Sequence, residues 1–397
     1  MKENSTLVVK MNVFFIAQYY MPHIGGAEKS ISYLLKSLSN KHNIKIIQMD
    51  YNIKSNEKNI KIVNIKIPSL YKLFSYHILK DPKFKYPLTS LYLETKIWEK
   101  LLDKYIKNKK PDLIITQLHY SSPTIRIANK YNIPSIIFLR SIDNICPDGR
   151  FIESYCGKED IGKISLENKF RYIKLNKIIE NNIESLKNSD LVISNSNFMR
   201  NYARRLTKID SKVVYPSISK EEIKYNVDRD YITFIKPVPH KGVDIVLSLA
   251  KELENEKFLF IGNTKKHIKK QISKYQNIEY INWTDDIDSY YKMTKILLVP
   301  SLCYEAFGRV VIEAQKYAIP VIANNIGGIN EAIGKGGILI NDVHNIKEWI
   351  KAIDSLKNRE IYKNLSVEAL NNSRKFSDQN TYIRFTKVVK ETLNIDL

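Results

Sequence analysis

Residues 301–337 read SLCYEAFGRVVIEAQKYAIPVIANNIGGINEAIGKGG, and their reading decides the fold. Seven residues separate Glu305 from Glu313, and the stretch passes from loop chemistry (Glu305, Ala306, Phe307, Gly308) to helical periodicity (Val310, Val311, Ala314, Ala318). Glu305 therefore precedes a helix and Glu313 lies inside it. The apolar run 296–299 just upstream reads as a buried parallel strand, and ligands of open α/β sheets bind outside the carboxyl ends of such strands. The helix start is expected to offer N–H groups at Phe307, Gly308 and Arg309 to a phosphate. Glu313, about two turns along, is placed to reach a ribose diol. Carboxylates accept hydrogen bonds from hydroxyls and repel phosphate, so two Glu beside an amide-rich helix start suit a ligand with both sugar and phosphate parts.

Glu305, Phe307, Gly308, Glu313 and Ala314, followed by Pro320, Val321, Gly327, Gly328 and Glu331, resemble the E-x7-E region of the retaining GT-B glycosyltransferases of family 4. Paired Glu at this spacing also occur on solvated helices; the whole string in this order carries the resemblance. It implies an α/β fold of two Rossmann-like α/β/α domains facing a central cleft. The expected boundaries are 1–218 for an acceptor-binding domain, 219–377 for a nucleotide-sugar-binding domain, and 378–397 for a terminal helix crossing back to the first.

The chain of 397 residues is long enough for two domains with real cores. Cys146, Cys156 and Cys303 lack C-x-x-C spacing, which argues against a disulfide framework or zinc site and for a reducing compartment. No apolar run reaches bilayer-spanning length, so the expected location is cytoplasmic, at the inner face of the membrane. Residues 11–17 (MNVFFIA) have the charge flank of a signal peptide but no small-residue cleavage site, and a glycine turn and a helix follow. They read as a buried first strand, with Met11 as a candidate start.

The net charge of +21 is uneven: residues 1–218 hold 36 Lys+Arg against 19 Asp+Glu. Such a half suits an acidic partner, whether anionic headgroups, a diphosphate-linked acceptor or nucleic acid; the alternative is that Lys is simply this chain's default surface residue. Residues 54–110 interleave 14 basic and 5 acidic residues with Tyr71, Phe74, Tyr76, Phe84, Tyr86, Tyr92 and Trp98. That mixture suits a membrane interface or a core aromatic cluster under a Lys shell. No RNA-binding or zinc-finger pattern accompanies it, so nucleic acid is not an expected partner. By resemblance the acceptor is a saccharide or a lipid-linked one.

The loop after the first strand carries Gly25 and Gly26, and it is neither GxGxxG nor a P-loop. It reads as a close-approach loop or a plain tight turn. The resemblance places it against the donor's phosphates and sugar. Strands at 112–116 and 135–139 are followed by His119 and Arg140. His119 is a catalytic candidate or a surface residue, and the family's usual His after the second strand is replaced by Arg140-Ser141. Arg140 is expected to grip an anionic group. No chemistry is assigned to Asp143, Cys146 or Pro147. Helices are expected at 164–186 and 196–205, a strand at 212–215, and a charged linker at 220–230.

The second half restarts with a strand at 231–235, then Lys236-Pro-Val-Pro-His-Lys241-Gly242 and a helix. Two cations around a proline-stiffened loop at a strand end form a diphosphate clamp; two solvated lysines are the alternative. The resembling family has Arg where Lys236 stands, and Lys keeps the charge without the bidentate fork. By the resemblance, Gly262 and Trp283, after the strands at 258–261 and 278–281, would line the nucleotide base. Asp228-Arg-Asp230 and Asp286-Ile-Asp288 fit a D-x-D metal pattern, but neither follows an apolar strand, so no metal is expected. One terminal helix is expected at 345–370 and another at 378–393.

The resemblance thus implies a retaining hexosyltransferase that needs no cofactor and uses a nucleotide-diphosphate sugar in surface polysaccharide or glycolipid assembly. Catalytic candidates are Glu305, Lys241, Lys236, His119 and Arg140. Rival readings are an epimerase or phosphorylase on the same architecture, or a silent subunit binding nucleotide sugar or membrane. An oxidoreductase lacks its glycine fingerprint.

Overall fold

A computed structural model of the chain describes residues 9–17, 20, 25–49, 59–66, 88–117, 120–145, 166–219 and 229–397, with side chains left out at 49, 88–94 and 166–176. His119, Cys146, Pro147, Cys156, Asp228, and the 220–230 linker up to residue 228 lie outside these. So do most aromatic residues of the 54–110 segment. The chain divides into two compact units, the first running to Ser217 and resumed at Asp378–Leu397, the second covering Ile218–Ser377.

The first unit contains β1 (Asn12–Ile16), α1 (Gly26–Ser39), β2 (Asn43–Met49), β3 (Ile60–Ile65), α2 (Leu88–Ile106), β4 (Leu113–Gln117), α3 (Ser121–Lys130), β5 (Ser135–Leu139), α4 (Leu166–Lys187), β6 (Leu191–Ser194), α5 (Asn197–Thr207) and β7 (Lys212–Val213). Its parallel sheet has the order β3-β2-β1-β4-β5-β6-β7. Apolar residues on alternate sides of each strand serve both faces. Val13, Phe15, Ile115 and Phe138 pack with Ile31, Leu34 and Leu35 of α1, while Phe14, Ile16 and Ile114 pack with Trp98 and Leu102 of α2. Burial on both faces is why these strands read as continuous apolar runs.

The second unit contains β8 (Tyr231–Ile235), α6 (Val243–Glu252), β9 (Lys257–Ile261), α7 (Lys266–Ile272), β10 (Ile278–Ile281), α8 (Ile287–Met293), β11 (Thr294–Val299), α9 (Arg309–Gln315), β12 (Val321–Asn324), α10 (Ile329–Ile333), β13 (Gly337–Ile340), α11 (Ile346–Ser355) and α12 (Arg359–Arg374). Its parallel sheet runs β10-β9-β8-β11-β12-β13. Each sheet grows outward in both directions from a central pair, β1 with β4 and β8 with β11. Successive connections leave that pair toward opposite edges, so a crevice opens at the carboxyl ends of the central strands.

The expected helix over 345–370 is in fact two, α11 and α12. Asn358 divides them: in an extended conformation, its side chain accepts from the N–H groups of Glu360 (3.0 Å) and Ile361 (3.2 Å), which starts a new helix by capping. Behind the site, Asn372 of α12 donates to Gln315 Oε1 (2.7 Å) and to the Ala332 carbonyl (2.8 Å), while Gln315 donates to the Ile333 carbonyl (2.8 Å). These buried amides have their hydrogen bonds satisfied, so they fix α9, α10 and α12 relative to one another.

The last helix, α13 (Asp378–Leu393), belongs to the first unit and lays Phe385 and Val389 into its core. The Phe385 ring stacks on Phe138 of β5 at 5.8 Å between centroids. Phe385→Ala removes a fully buried aromatic side chain, and is expected to destabilise the first unit by roughly 3–5 kcal/mol. Chemical denaturation of wild type and variant would measure this, and a loss within experimental error would show that α13 is not part of the core.

Candidate functional site

The candidate site follows from the carboxyl ends of β8 and β11, which are hydrogen-bonded neighbours. After β8 the chain turns at Lys236, a non-glycine residue in the left-handed region (φ 63°). Its N–H donates to the Ile261 carbonyl at 2.7 Å. A short turn, Pro239–Lys241, then leads to Gly242 with φ 84°. Gly242 has no alternative: a Cβ there would meet the carbonyl oxygen of Pro300, directly after β11. This close approach brings the two loops together. Leu302 N–H and the Cys303 thiol both donate to the His240 carbonyl, at 3.0 and 3.6 Å.

The result is an ion pair between Lys241 Nζ and Glu305 Oε1, residues 64 apart in sequence. The two side chains keep 22% and 19% of their accessible surface, so they are neither solvent-borne nor sealed away. Ser301 Oγ donates to the same Glu305 oxygen at 2.8 Å, and Asn324 Nδ2 of β12 donates to the Ser301 carbonyl at 2.7 Å. Burial pushes the Glu305 carboxyl up, but Lys241, Ser301 and the charge of Lys236 together outweigh it and hold the group below the ordinary carboxylate range. Glu305 is therefore an anion at neutral pH. Burial lowers His240, and Lys241 and Lys236 add to the effect, which leaves its imidazole neutral at pH 7.

The loop carrying Glu305 is buttressed from behind. Gly328 N–H donates to the Glu305 carbonyl at 2.7 Å. A Cβ at Gly327 would lie 2.5 Å from that same oxygen, and one at Gly328 would lie 2.5 Å from the Ala306 carbonyl oxygen. Phe307 is buried and meets Phe376 edge to face at 5.3 Å, which anchors the loop before Gly308 (φ 91°) caps α9. Arg309 opens α9, and its guanidinium holds Glu313 Oε1 at 2.7 Å. Tyr291 OH approaches the other Glu313 oxygen at 3.4 Å; burial and the nearby Glu313 charge raise its phenol well above the usual range, so it stays a donor.

Along this edge the remaining candidates follow the strand order. Gly262 ends β9, and a Cβ there would lie 3.3 Å from Lys236 Cα. Trp283 follows β10 with 57% of its surface exposed, and its backbone N–H donates to Asn263 Oδ1 at 3.3 Å. Trp283, Gly262, Lys236, Lys241 and Glu305 thus occupy successive strand ends of one sheet. Gly25, Gly26 and Arg140 belong to the first unit. Gly25 precedes α1, and Arg140 lies over the Phe138 ring at 4.5 Å.

Of the D-x-D patterns, Asp286 caps α8 by accepting from Ser289, and Asp288 accepts from Tyr317 OH. Asp230 pairs with Lys257. Each of these described carboxylates thus has a structural partner.

Sequence reasoning did not single out Ser301, Asn324, His240 or Tyr291. Their types are common, and no local pattern marks them; only the adjacency of strand ends does. It also passed over Gln117, the last residue of β4, which is fully buried with neither amide atom hydrogen-bonded among the described residues. Asn195, just after β6, donates through Nδ2 to the Arg140 carbonyl at 3.1 Å, while its Oδ1 has no hydrogen bond among the described residues.

Comparison with known proteins accounts for both units. Residues 24–222 match the family model described as Glycosyltransferase Family 4, and residues 217–376 match that of Glycosyl transferases group 1. An uncharacterized glycosyltransferase of Methanocaldococcus jannaschii is 26% identical over 401 residues, spanning 97% of this chain and 99% of that protein. Among solved structures, the sucrose-phosphate synthase of Thermosynechococcus elongatus superimposes with a TM-score of 0.73 at 15% identity, covering 97% and 100% of the two chains. The Anabaena protein HepE in complex with UDP and glucose does so at 0.65 and 16%, covering 96% and 99%. With both halves matched and the two doubly wound sheets in place, the chain belongs to family 4 of the glycosyltransferases, the group 1 enzymes of GT-B fold.

Proposed function

We propose that the enzyme transfers a hexose, with retention of anomeric configuration, from a nucleotide-diphosphate sugar to a saccharide or lipid-linked acceptor in surface polysaccharide or glycolipid assembly. One observation carries the reading. A carboxylate kept ionised, a lysine bound to it and a second lysine close enough to influence its charge stand together at the carboxyl ends of β8 and β11. This combination suits a ligand with hydroxyls beside phosphates.

In this reading Glu305 accepts hydrogen bonds from sugar hydroxyls, while Lys236, Lys241 and the start of α9 neutralise the charge that grows on the departing diphosphate. Lys241 has a second role, because its pairing keeps Glu305 an acceptor. Glu313, steadied by Arg309 and Tyr291, is oriented toward a ribose diol, with Trp283 and Gly262 flanking the base. Ala306, Phe307 and Gly308 supply backbone. In the first unit, Gly25 and Gly26 would approach the donor, and Arg140 would stand in for the family's usual His; His119 remains a further candidate. The leaving-group charge is assigned to lysines and not to a metal ion. The UDP and glucose of the Anabaena structure make UDP-glucose the first donor to try.

Three outcomes are expected. With a panel of nucleotide sugars, release of nucleoside diphosphate should be unaffected by a chelator. Glu305→Gln and Lys241→Ala should each lower kcat by about 10²–10³, and full activity in either variant would remove that residue from the mechanism. The pH–rate profile should separate their roles. Because the folded-state pKa of Glu305 is depressed, the ionised form and the stability it brings persist above the ordinary carboxylate value, and are lost only as pH falls through the lower folded one. Lys241→Ala takes away an opposing charge and leaves burial less opposed, so the acid limb should move to higher pH; an unmoved limb would show that Lys241 does not set the ionisation of Glu305.

A further inference from the structure

Helix α5 carries cations without acidic residues: its sequence is NFMRNYARRLT, and Lys208 caps it in a left-handed conformation. Met199, Ala203 and Thr207 face the core. At helical spacing the outward side then presents Asn201, Arg204, Arg205 and Lys208, with Phe198, Tyr202 and Leu206 along its flank. Leu206 keeps 37% of its surface exposed. Phe198 and Tyr202 pack ring to ring at 5.7 Å, and the Arg205 guanidinium lies 5.4 Å from the Tyr202 ring.

Some surface cations of this unit are paired, as Arg126 with Glu99 and Lys130 with Asp103. Among the described residues Arg200, Arg204, Arg205 and Lys208 have no ion pair. Asp210, two residues beyond Lys208, is the nearest acid along the chain. Asn201, Arg204, Arg205 and Lys208 also line an open cavity of about 370 Å³. A row of cations without ion pairs, beside an edge on which Leu206 is exposed and Phe198 and Tyr202 are half-buried, is complementary to a surface that is anionic at one depth and apolar just beneath.

We propose that α5 is the site at which this enzyme docks on anionic lipid, with Arg204, Arg205 and Lys208 taking headgroup phosphates and Leu206 entering the acyl boundary. The inference deepens the lipid-linked acceptor reading proposed above, and it is independent of the donor chemistry.

Co-sedimentation of the full chain with phosphatidylcholine vesicles, with and without phosphatidylglycerol, tests it. Binding should require phosphatidylglycerol and weaken with salt. Arg204→Gln, Arg205→Gln and Lys208→Gln should each reduce it about fivefold, and the triple variant on the order of a hundredfold. Leu206→Ser should weaken it several-fold with all charges intact. Release of nucleoside diphosphate from a soluble donor should be unchanged in all five variants, which separates failure of docking from failure of the catalytic reading. Triple-variant binding equal to wild type, or binding indifferent to phosphatidylglycerol, would overturn the proposal. So would an RNA oligonucleotide that binds this helix and displaces the vesicles.

Discussion

Everything at the candidate site depends on the close approach of two loops at the carboxyl ends of β8 and β11. These strands are neighbours because the sheet grows from them in opposite directions, and the crevice between diverging connections is where the loops can meet. Gly242 against the Pro300 carbonyl sets how near they come. That contact puts the Lys241 ammonium on the Glu305 carboxylate. Without a partner, a carboxylate this enclosed would tend to protonate; with one, it stays an acceptor.

The supports are arranged in series. Ser301 holds the shared oxygen of Glu305, Asn324 of β12 holds the Ser301 backbone, and Gly328 holds the carbonyl of Glu305 itself. Further back, Gln315 and Asn372 lock α9 to α10 and α12. Side chains held through several hydrogen bonds lose little freedom on binding, so ligand affinity is not consumed in ordering them. Arg309, Glu313 and Tyr291 repeat the logic one turn along α9.

Much of this was legible in the sequence, for identifiable reasons. Strands buried on both faces appear as runs such as 12–17 and 296–299, and the loop-to-helix change between Glu305 and Glu313 is visible in periodicity alone. Other features left no such trace. In β2, NIKIIQM, lysine interrupts the apolar run, and the expectations above passed over it. The break between α11 and α12 depends on one Asn side chain turning back on the backbone, which a periodicity continuing through 345–370 conceals.

The sequence by itself determined which chemistry is present: two carboxylates with seven residues between them, two lysines around a proline-stiffened loop, glycines at the turns, and a family resemblance spread over the chain. These are local facts, set by spacing along the backbone. Only the tertiary structure decided which groups share an oxygen atom. The pairing of Lys241 with Glu305, the ionisation this enforces, and the roles of Ser301, Asn324 and Tyr291 arise because parallel strands far apart in sequence lie side by side, so their carboxyl ends fall along one edge. Spacing along a chain cannot encode that adjacency, because it is created by the order in which strands enter the sheet.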